Sequence, residues 1–489
     1  MAPHLRLAPF RPHEGPPELH GAARVGVRPG TELIHTLAAT GERPLAFRVS
    51  GLPAGLSVDP ETGIVRGTAP ATPSTHPVHV AVGNRLGATS ATVELVVGDA
   101  LALTPPLGWN SWNVYGETVS AGVVARIADG MVASGMRDAG YAYLNLDDFW
   151  HAPARAADGR PLAHPERFPD GIAALAEEVH ARGLKLGIYS DAGHLTCGGC
   201  YGGYGHEAID AETYASWGVD LLKYDYCHAP VSREAAVARY RTMADALAGC
   251  GRSIVFNVCE WGLRRPGEWA PELGAAYWRT TPDIFDSFSY TFWGVRGIAR
   301  RNQALAEYAG PGRWNDPDML VVGNRGRGRV ASNLPVGRPL HLPFSVHLRG
   351  LDDRQSHTHL SLWAMMAAPL LASSDPTELS DVDRDILLNP EVLAIDQDPL
   401  GQQGRVVTRR RGVWVMRKPL ASGGAAISFS NVSPFRARRR LSLASLGLAG
   451  RPDVRDAWAR ESLGPLDHLE VDLARHESRV FVVAPPAGG

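Results

Sequence analysis

Cysteine is scarce. Five thiols (Cys197, Cys200, Cys227, Cys250, Cys259) in 489 residues exclude a disulfide scaffold, and the odd number leaves at least one of them free. Charge of one sign is lacking too: 49 basic residues face 51 acidic ones, a net charge of −2. That balance gives no electrostatic case for a nucleic-acid or anionic-membrane partner. No run of roughly 18 apolar residues exists, so no membrane-spanning helix is expected. The opening stretch MAPHLRLAPFRPHEGPPELH carries Pro, His and Glu where a secretory signal needs an apolar core. Residues 1–25 are therefore expected to be a flexible leader, and the protein to be cytoplasmic. The histidines are scattered, and Cys197-Gly-Gly-Cys200 has no second pair beside it, so neither a metal nor a cofactor is expected.

The length is too great for one ordinary core. Residues 26–99 hold short alternating apolar runs separated by turns such as Asp59-Pro60-Glu61-Thr62-Gly63, the pattern of a small immunoglobulin-like β-sandwich. From 101 to 402 strand-like runs alternate with helical stretches at 120–137, 171–183 and 231–249. The strand candidates are LGWNSWN, YAYLNLDDFW, LKLGIYSD, VDLLKYDYC, SIVFNVCEWG, AYWRTTPDI, GRWNDPDML and APLLASSD. Eight strand-then-helix units predict a (β/α)₈ TIM barrel. No glycine-rich phosphate loop follows the first strand, which argues against a doubly wound nucleotide fold. After 403 the helical period disappears, and a C-terminal antiparallel β-sandwich is expected over 403–489. The whole is thus a multidomain chain, α/β at its centre and all-β at both ends.

Nearly every barrel strand ends alike, with an apolar body and then Trp, Asp, Lys, Glu or Arg. The C-terminal ends of barrel strands build the active site. In VDLLKYDYC alternate residues share a face, so Lys223, Asp225 and Cys227 point one way and Leu222, Tyr224 and Tyr226 the other. Asp225 and Asp283, after the fourth and sixth strands, stand out as a carboxylate pair. A separation of about 5–5.5 Å would suit a retaining glycosidase and about 6.5–9.5 Å an inverting one. The spacing does not choose between them. Asp147, Asp148, Lys223, Glu260, Arg279 and Asp318 are suitable ligands for sugar hydroxyls, and Trp112 is a candidate platform for an apolar sugar face.

The strings TPPLGWNSWN, YLNLDDFW, GLKLGIYSDAG, GVDLLKYDYC, CEWG, WRTTPDI, WNDPDMLVVGN and DPLGQQG resemble glycoside hydrolase family 27, the α-galactosidase/melibiase family, over about 101–404. The resemblance implies a retaining exo-α-galactosidase that takes an α-galactoside, with Asp225 as nucleophile and Asp283 as acid/base. It implies that Asp147 and Asp148 hold the 4- and 6-hydroxyls and Lys223 the 3- and 4-hydroxyls. Glu260 and Arg279 would hold the 2- and 3-hydroxyl side, while Trp112, Tyr189, Asp318 and Met319 complete the wall. It also implies a Cys197–Cys227 disulfide near the rim. The oligomeric state is not indicated.

The sequence departs from the family pattern in places. Many members pair a cysteine after the second-strand DD with one shortly after WNSWN; here Phe149 and the cysteine-free Val114-Tyr115-Gly116 stand there. Residues 325–350 read as an insertion after the seventh strand. Two same-family alternatives stay open, an α-N-acetylgalactosaminidase and a β-L-arabinopyranosidase. Glu260 filling the acetamido space speaks against the first, and the intact DD pair against the second. A catalytically silent glycan-binding protein is the alternative of another class, opposed by the presence of both acids.

Overall fold

The computed structural model describes residues 5–289, 292–327, 349–448 and 450–485. Eight short parallel strands occupy the middle of the chain: β1 (Leu107–Asn110), β2 (Tyr143–Asn145), β3 (Lys185–Asp191), β4 (Leu221–Asp225), β5 (Val255–Val258), β6 (Tyr277–Arg279), β7 (Trp314–Asp316) and β8 (Leu370–Ala372). They pair in the order β7-β6-β5-β4-β3-β2-β1-β8. A parallel bridge between Leu320 and Ala372 closes the sheet on itself. The result is the expected barrel.

Strand periodicity decides what fills it. Leu221 lies opposite Gly187 and Val255, and Lys223 opposite Tyr189 and Asn257. The inward set at the floor is apolar, with Leu221, Val255, Tyr277 and Leu371 in one cluster. The outward set (Leu222, Tyr224, Phe256, Val258) packs under the helices. Burial of each such side chain contributes about 1.5–3 kcal/mol. Towards the strand ends the inward set turns polar, through Lys223, Asn257 and Arg279, so the alternation expected for residues 219–227 is the one observed.

Helices Ala121–Ala133 and Arg233–Gly249 begin where Ser120 and Ser232 accept backbone N–H bonds, and Asp353–Met365 begins at an Asp352/Gln355 capping box. The fifth crossover departs from the strand-then-helix expectation. It consists of the 3₁₀ turns Pro266–Glu268 and Ala270–Leu273. Pro266 and Pro271 have no N–H to donate to a longer helix.

The N-terminal module packs a four-stranded sheet against a three-stranded one around Val27, Phe47, Val80 and Val82. It sits on the barrel floor, opposite the strand ends. Thr31 and Ser253 share a 2.7 Å hydroxyl contact, Thr36 donates to the Gly183 carbonyl at 2.6 Å, and Arg252 pairs with Glu32 at 3.0 Å. Residues 5–25, expected to be a flexible leader, instead form a packed strap. Phe10 is buried in the barrel core and its N–H donates to Asp385, while Glu18–Leu19 pairs with Ala39–Thr40. The apolar side chains of LRLAPF supply the anchor that composition alone did not reveal.

The C-terminal domain is a six-stranded antiparallel sheet faced by a two-stranded one, with Val415, Ile427, Phe429 and Phe481 in its core. It leans on the helix Asp353–Met365, where Trp458 Nε1 donates to Ser361 Oγ at 3.0 Å. Among the described residues, no helix is long and apolar enough to cross a membrane.

Candidate active site

The strand ends gather two hydrogen-bonded groups around one mouth. The first comes from β1, β2, β3 and β4. Asp147, two residues past β2, accepts from Lys223 Nζ at 2.6 Å and from Asn110 Nδ2 at 2.9 Å, both on Oδ2. Lys223 also lies over the Tyr189 ring, 5.2 Å from its centroid. The Tyr189 hydroxyl donates to Asp225 Oδ2 at 3.0 Å, and the Tyr226 N–H donates to Asp225 Oδ1 at 2.9 Å. Asp148 accepts the N–H groups of Phe149 and Gly198, each at 2.7 Å.

The second group comes from β6 and β7. The Arg279 guanidinium reaches Asp283 Oδ1 at 3.0 Å with one nitrogen and Asp318 Oδ1 at 3.2 Å with the other. Asp318 has φ of 79° and is pinned by the Ile284 N–H at 2.7 Å. Met319 is buried and, with Lys223, Arg279 and Asp318, lines the small hollow beneath the mouth. Asp283 is the exposed member, its side chain 31% accessible against 3% for Arg279 and Asp318. Its second oxygen carries no bond to the protein among the described residues.

Electrostatics follow from crowding. Asp147, Asp148, Asp191, Asp225, Asp283, Asp316 and Asp318 share the mouth with two cations, Lys223 and Arg279. Burial pushes Asp225 up to about 6; Lys223 pulls the other way, and Asp283 adds to the rise. Asp318 is likewise lifted to about 6 by burial and by Asp283, against the pull of Arg279. Burial also opposes the charge on Lys223, but Asp147 and Asp225 hold its pKa above the ordinary value.

Two predicted residues, Glu260 and Trp112, stand apart from these networks. Glu260 is fully buried and pushed up to about 7 by burial; its Oε2 accepts from the Arg264 N–H at 2.7 Å and the Arg264 guanidinium at 3.2 Å, while Oε1 has no hydrogen-bond partner among the described residues. Trp112 is stacked on Phe149, with centroids 6.0 Å apart and planes within 4°. Phe149 stands where relatives were expected to carry one half of a bridge. Cys197 and Cys227 form a disulfide, and Cys197 Sγ lies 3.8 Å from Asp225 Oδ2.

Sequence reasoning missed Asp191 and Cys259. Asp191 ends β3 and accepts the N–H groups of Gly193 and Cys227 at 2.6 and 2.9 Å, tying the third strand end to the fourth. Cys259 follows Val255 and Asn257 on the inward parity and sits 3.8 Å from Arg279 Nη1. Both obey the strand-end rule and could have been found by it. Asp286, three residues beyond Asp283, is buried and accepts N–H bonds from Gly326 at 2.6 Å and Leu351 at 3.0 Å. It fastens the acid-bearing loop to both ends of the expected insertion, of which residues 328–348 lie outside the described residues.

The parallel barrel has a mouth that crowds carboxylates around two cations, and the comparisons place the chain among the glycoside hydrolases. The family model described as "Alpha galactosidase A" matches residues 104–333 and 345–398, more than half of the chain. The chain belongs to this α-galactosidase (melibiase) family, glycoside hydrolase family 27. An Ig domain model matches 22–98, and the alpha galactosidase C-terminal beta sandwich domain matches 411–483. Alpha-galactosidase A of Cellvibrio japonicus is 42% identical over 359 residues, 71% of this chain and 81% of that protein. Alpha-galactosidase of rice is 38% identical over 391 residues, 79% and 86% of the two chains. A solved structure from Bacteroides fragilis superimposes with a TM-score of 0.90 at 38% identity, covering 98% of this chain and 99% of its own. Alpha-galactosidase I from Mortierella vinacea gives 0.71 at 30% identity over 80% and 99%.

Proposed function

We propose that the protein is a retaining exo-α-galactosidase in which Asp225 attacks the anomeric carbon and Asp283 serves as acid and then base. The observation that carries this reading is that the two acids lie close enough across one mouth for Asp283 to raise Asp225 electrostatically, each being supported differently. Asp225 is buried and fixed by Tyr189 and the Tyr226 N–H, as a nucleophile that must not swing needs to be. Asp283 is partly exposed and held through one oxygen by Arg279, which leaves the other to meet a leaving group.

The steps then run in order. Asp283 gives its proton to the glycosidic oxygen as the aglycone departs, and Asp225 forms the glycosyl ester. Water enters, Asp283 takes its proton, and the ester is released with the original anomeric configuration. Asp147 and Asp148, buried and held by partners, would accept the 4- and 6-hydroxyls. A sugar lacking the hydroxymethyl group would leave part of that acceptor set unpaired. Lys223, Arg279 and Glu260 would take the 2-, 3- and 4-hydroxyl side, and Trp112, Tyr189, Asp318 and Met319 would form the wall.

The test is nuclear magnetic resonance of the first-formed sugar from 4-nitrophenyl α-galactoside. The α-anomer of galactose should appear first; a β-anomer would reject the retaining assignment. Rates on the corresponding α-N-acetylgalactosaminide and β-L-arabinopyranoside should be far lower, and a preference for either would reassign the substrate.

A further inference from the structure

The N-terminal module does not seal the barrel floor completely. A cavity of about 440 Å³ remains between them, within the size range of small-molecule sites. Its walls are largely apolar, with Ile34 from the module and Leu103, Leu107 and Val255 from the barrel. Among its polar lining residues are His35 from the module, Tyr143 from the start of β2 and Lys185 from the start of β3, the last two directly opposite each other in register.

The charges in the wall are unequal. Arg24 pairs with Glu94, Arg137 with Asp138, Glu32 with Arg252, and Arg460 with Glu18 and Glu391. Asp220 is held by His180 and Arg252. Lys185 alone among the charged lining residues has no ion pair among the described residues. Its ammonium lies over the face of Tyr143, 5.3 Å from the centroid. The Tyr143 hydroxyl and the His35 imidazole have no hydrogen-bond partner among the described residues. Burial and Lys185 push His35 down to about 3, so its ring is neutral and adds a polar group without charge. Asp220 is the carboxylate whose charge reaches Lys185, but it is already engaged by His180 and Arg252. A partly enclosed cation without a directly bonded counter-ion is costly unless something supplies the charge.

We propose that this cavity is a second binding site, for a small organic anion with an apolar body, an aromatic or aliphatic monocarboxylate. The carboxylate would take the Lys185 ammonium and the Tyr143 hydroxyl, His35 would border it, and the body would lie against Ile34, Leu103 and Val255. A neutral sugar fits poorly, because the lining carboxylates that would accept its hydroxyls are already engaged. Since the site spans two domains, an occupant should also strengthen their docking. This proposal does not depend on the catalytic assignment.

The experiment is calorimetric titration of the full-length protein with 2-naphthoate, 2-naphthamide and 2-naphthylmethylamine, which share a body and differ in charge. The naphthoate should bind at one site at least about tenfold tighter than the other two, unaffected by saturating galactose. Lys185→Met should abolish that preference, Lys185→Arg should keep it, and both should retain the wild-type rate on 4-nitrophenyl α-galactoside. Equal affinity for the three probes, displacement by galactose, or an undiminished preference in Lys185→Met would overturn it. The probe series on wild-type protein decides the matter even if a variant fails to fold.

Discussion

Lys223 directs its ammonium to Asp147, 2.6 Å away, rather than to Asp225, which lies two residues along the same strand and faces the same mouth. The proposed nucleophile is thus fixed by hydrogen bonds and only influenced by the cation. Burial outweighs that influence, which is why Asp225 rises rather than falls. A simple Lys–Asp pair on the strand would have predicted the opposite sign.

The pH profile should show it. Asp225 must be ionised to attack, so kcat/KM should fall as pH drops through about 6. Tyr189 donates to the ionised carboxylate and lowers its pKa, so Tyr189→Phe should move this acid limb to higher pH. A limb that stays in place or moves downward would remove Tyr189 from the proposed role.

Asp283→Ala should separate the two steps of the reaction. Substrates with poor leaving groups should lose about 10²–10⁴-fold in rate. A 2,4-dinitrophenyl galactoside needs little protonation and should still form the glycosyl ester, seen as a burst followed by slow turnover. Added azide should speed the second step and yield an α-galactosyl azide. Asp225→Ala should show no burst with any substrate.

Lys223→Met should be costly in a way that activity alone does not report. Asp147 is buried and would be left facing Asn110 and the other acids. Breaking a buried pair from one side costs about 3–5 kcal/mol, to be measured as a loss of unfolding free energy in urea. Replacing Asp147 and Lys223 together by Asn and Met should cost less than the sum of the single changes.

The strap makes a prediction away from the mouth. Phe10→Ala should destabilise by about 3 kcal/mol or more, the usual cost of emptying a buried phenylalanine site, while leaving KM for 4-nitrophenyl α-galactoside unchanged. The readout is the urea midpoint beside the kinetics.

The barrel and the polar strand ends were legible because both follow from repetition. Period-two alternation assigned Lys223 and Asp225 to the interior, and eight similar strand ends implied a shared mouth. Pairwise contacts were not legible in this way. Which carboxylate Lys223 meets, and that Arg279 would divide itself between Asp283 and Asp318, depend on how neighbouring strands are staggered. The strap escaped notice because its anchor, Phe10, sits in a Pro-rich stretch without periodicity, and its packing comes from surfaces hundreds of residues away. The 3₁₀ turns of the fifth crossover were written in Pro266 and Pro271, but counting strand–helix units passed over them.

Asp286 ties Gly326 and Leu351 together three residues downstream of Asp283. The backbone on either side of residues 328–348 is thereby fixed to the loop that carries Asp283. A change in the length of chain between Gly326 and Leu351 therefore meets two anchored ends before it reaches Asp283.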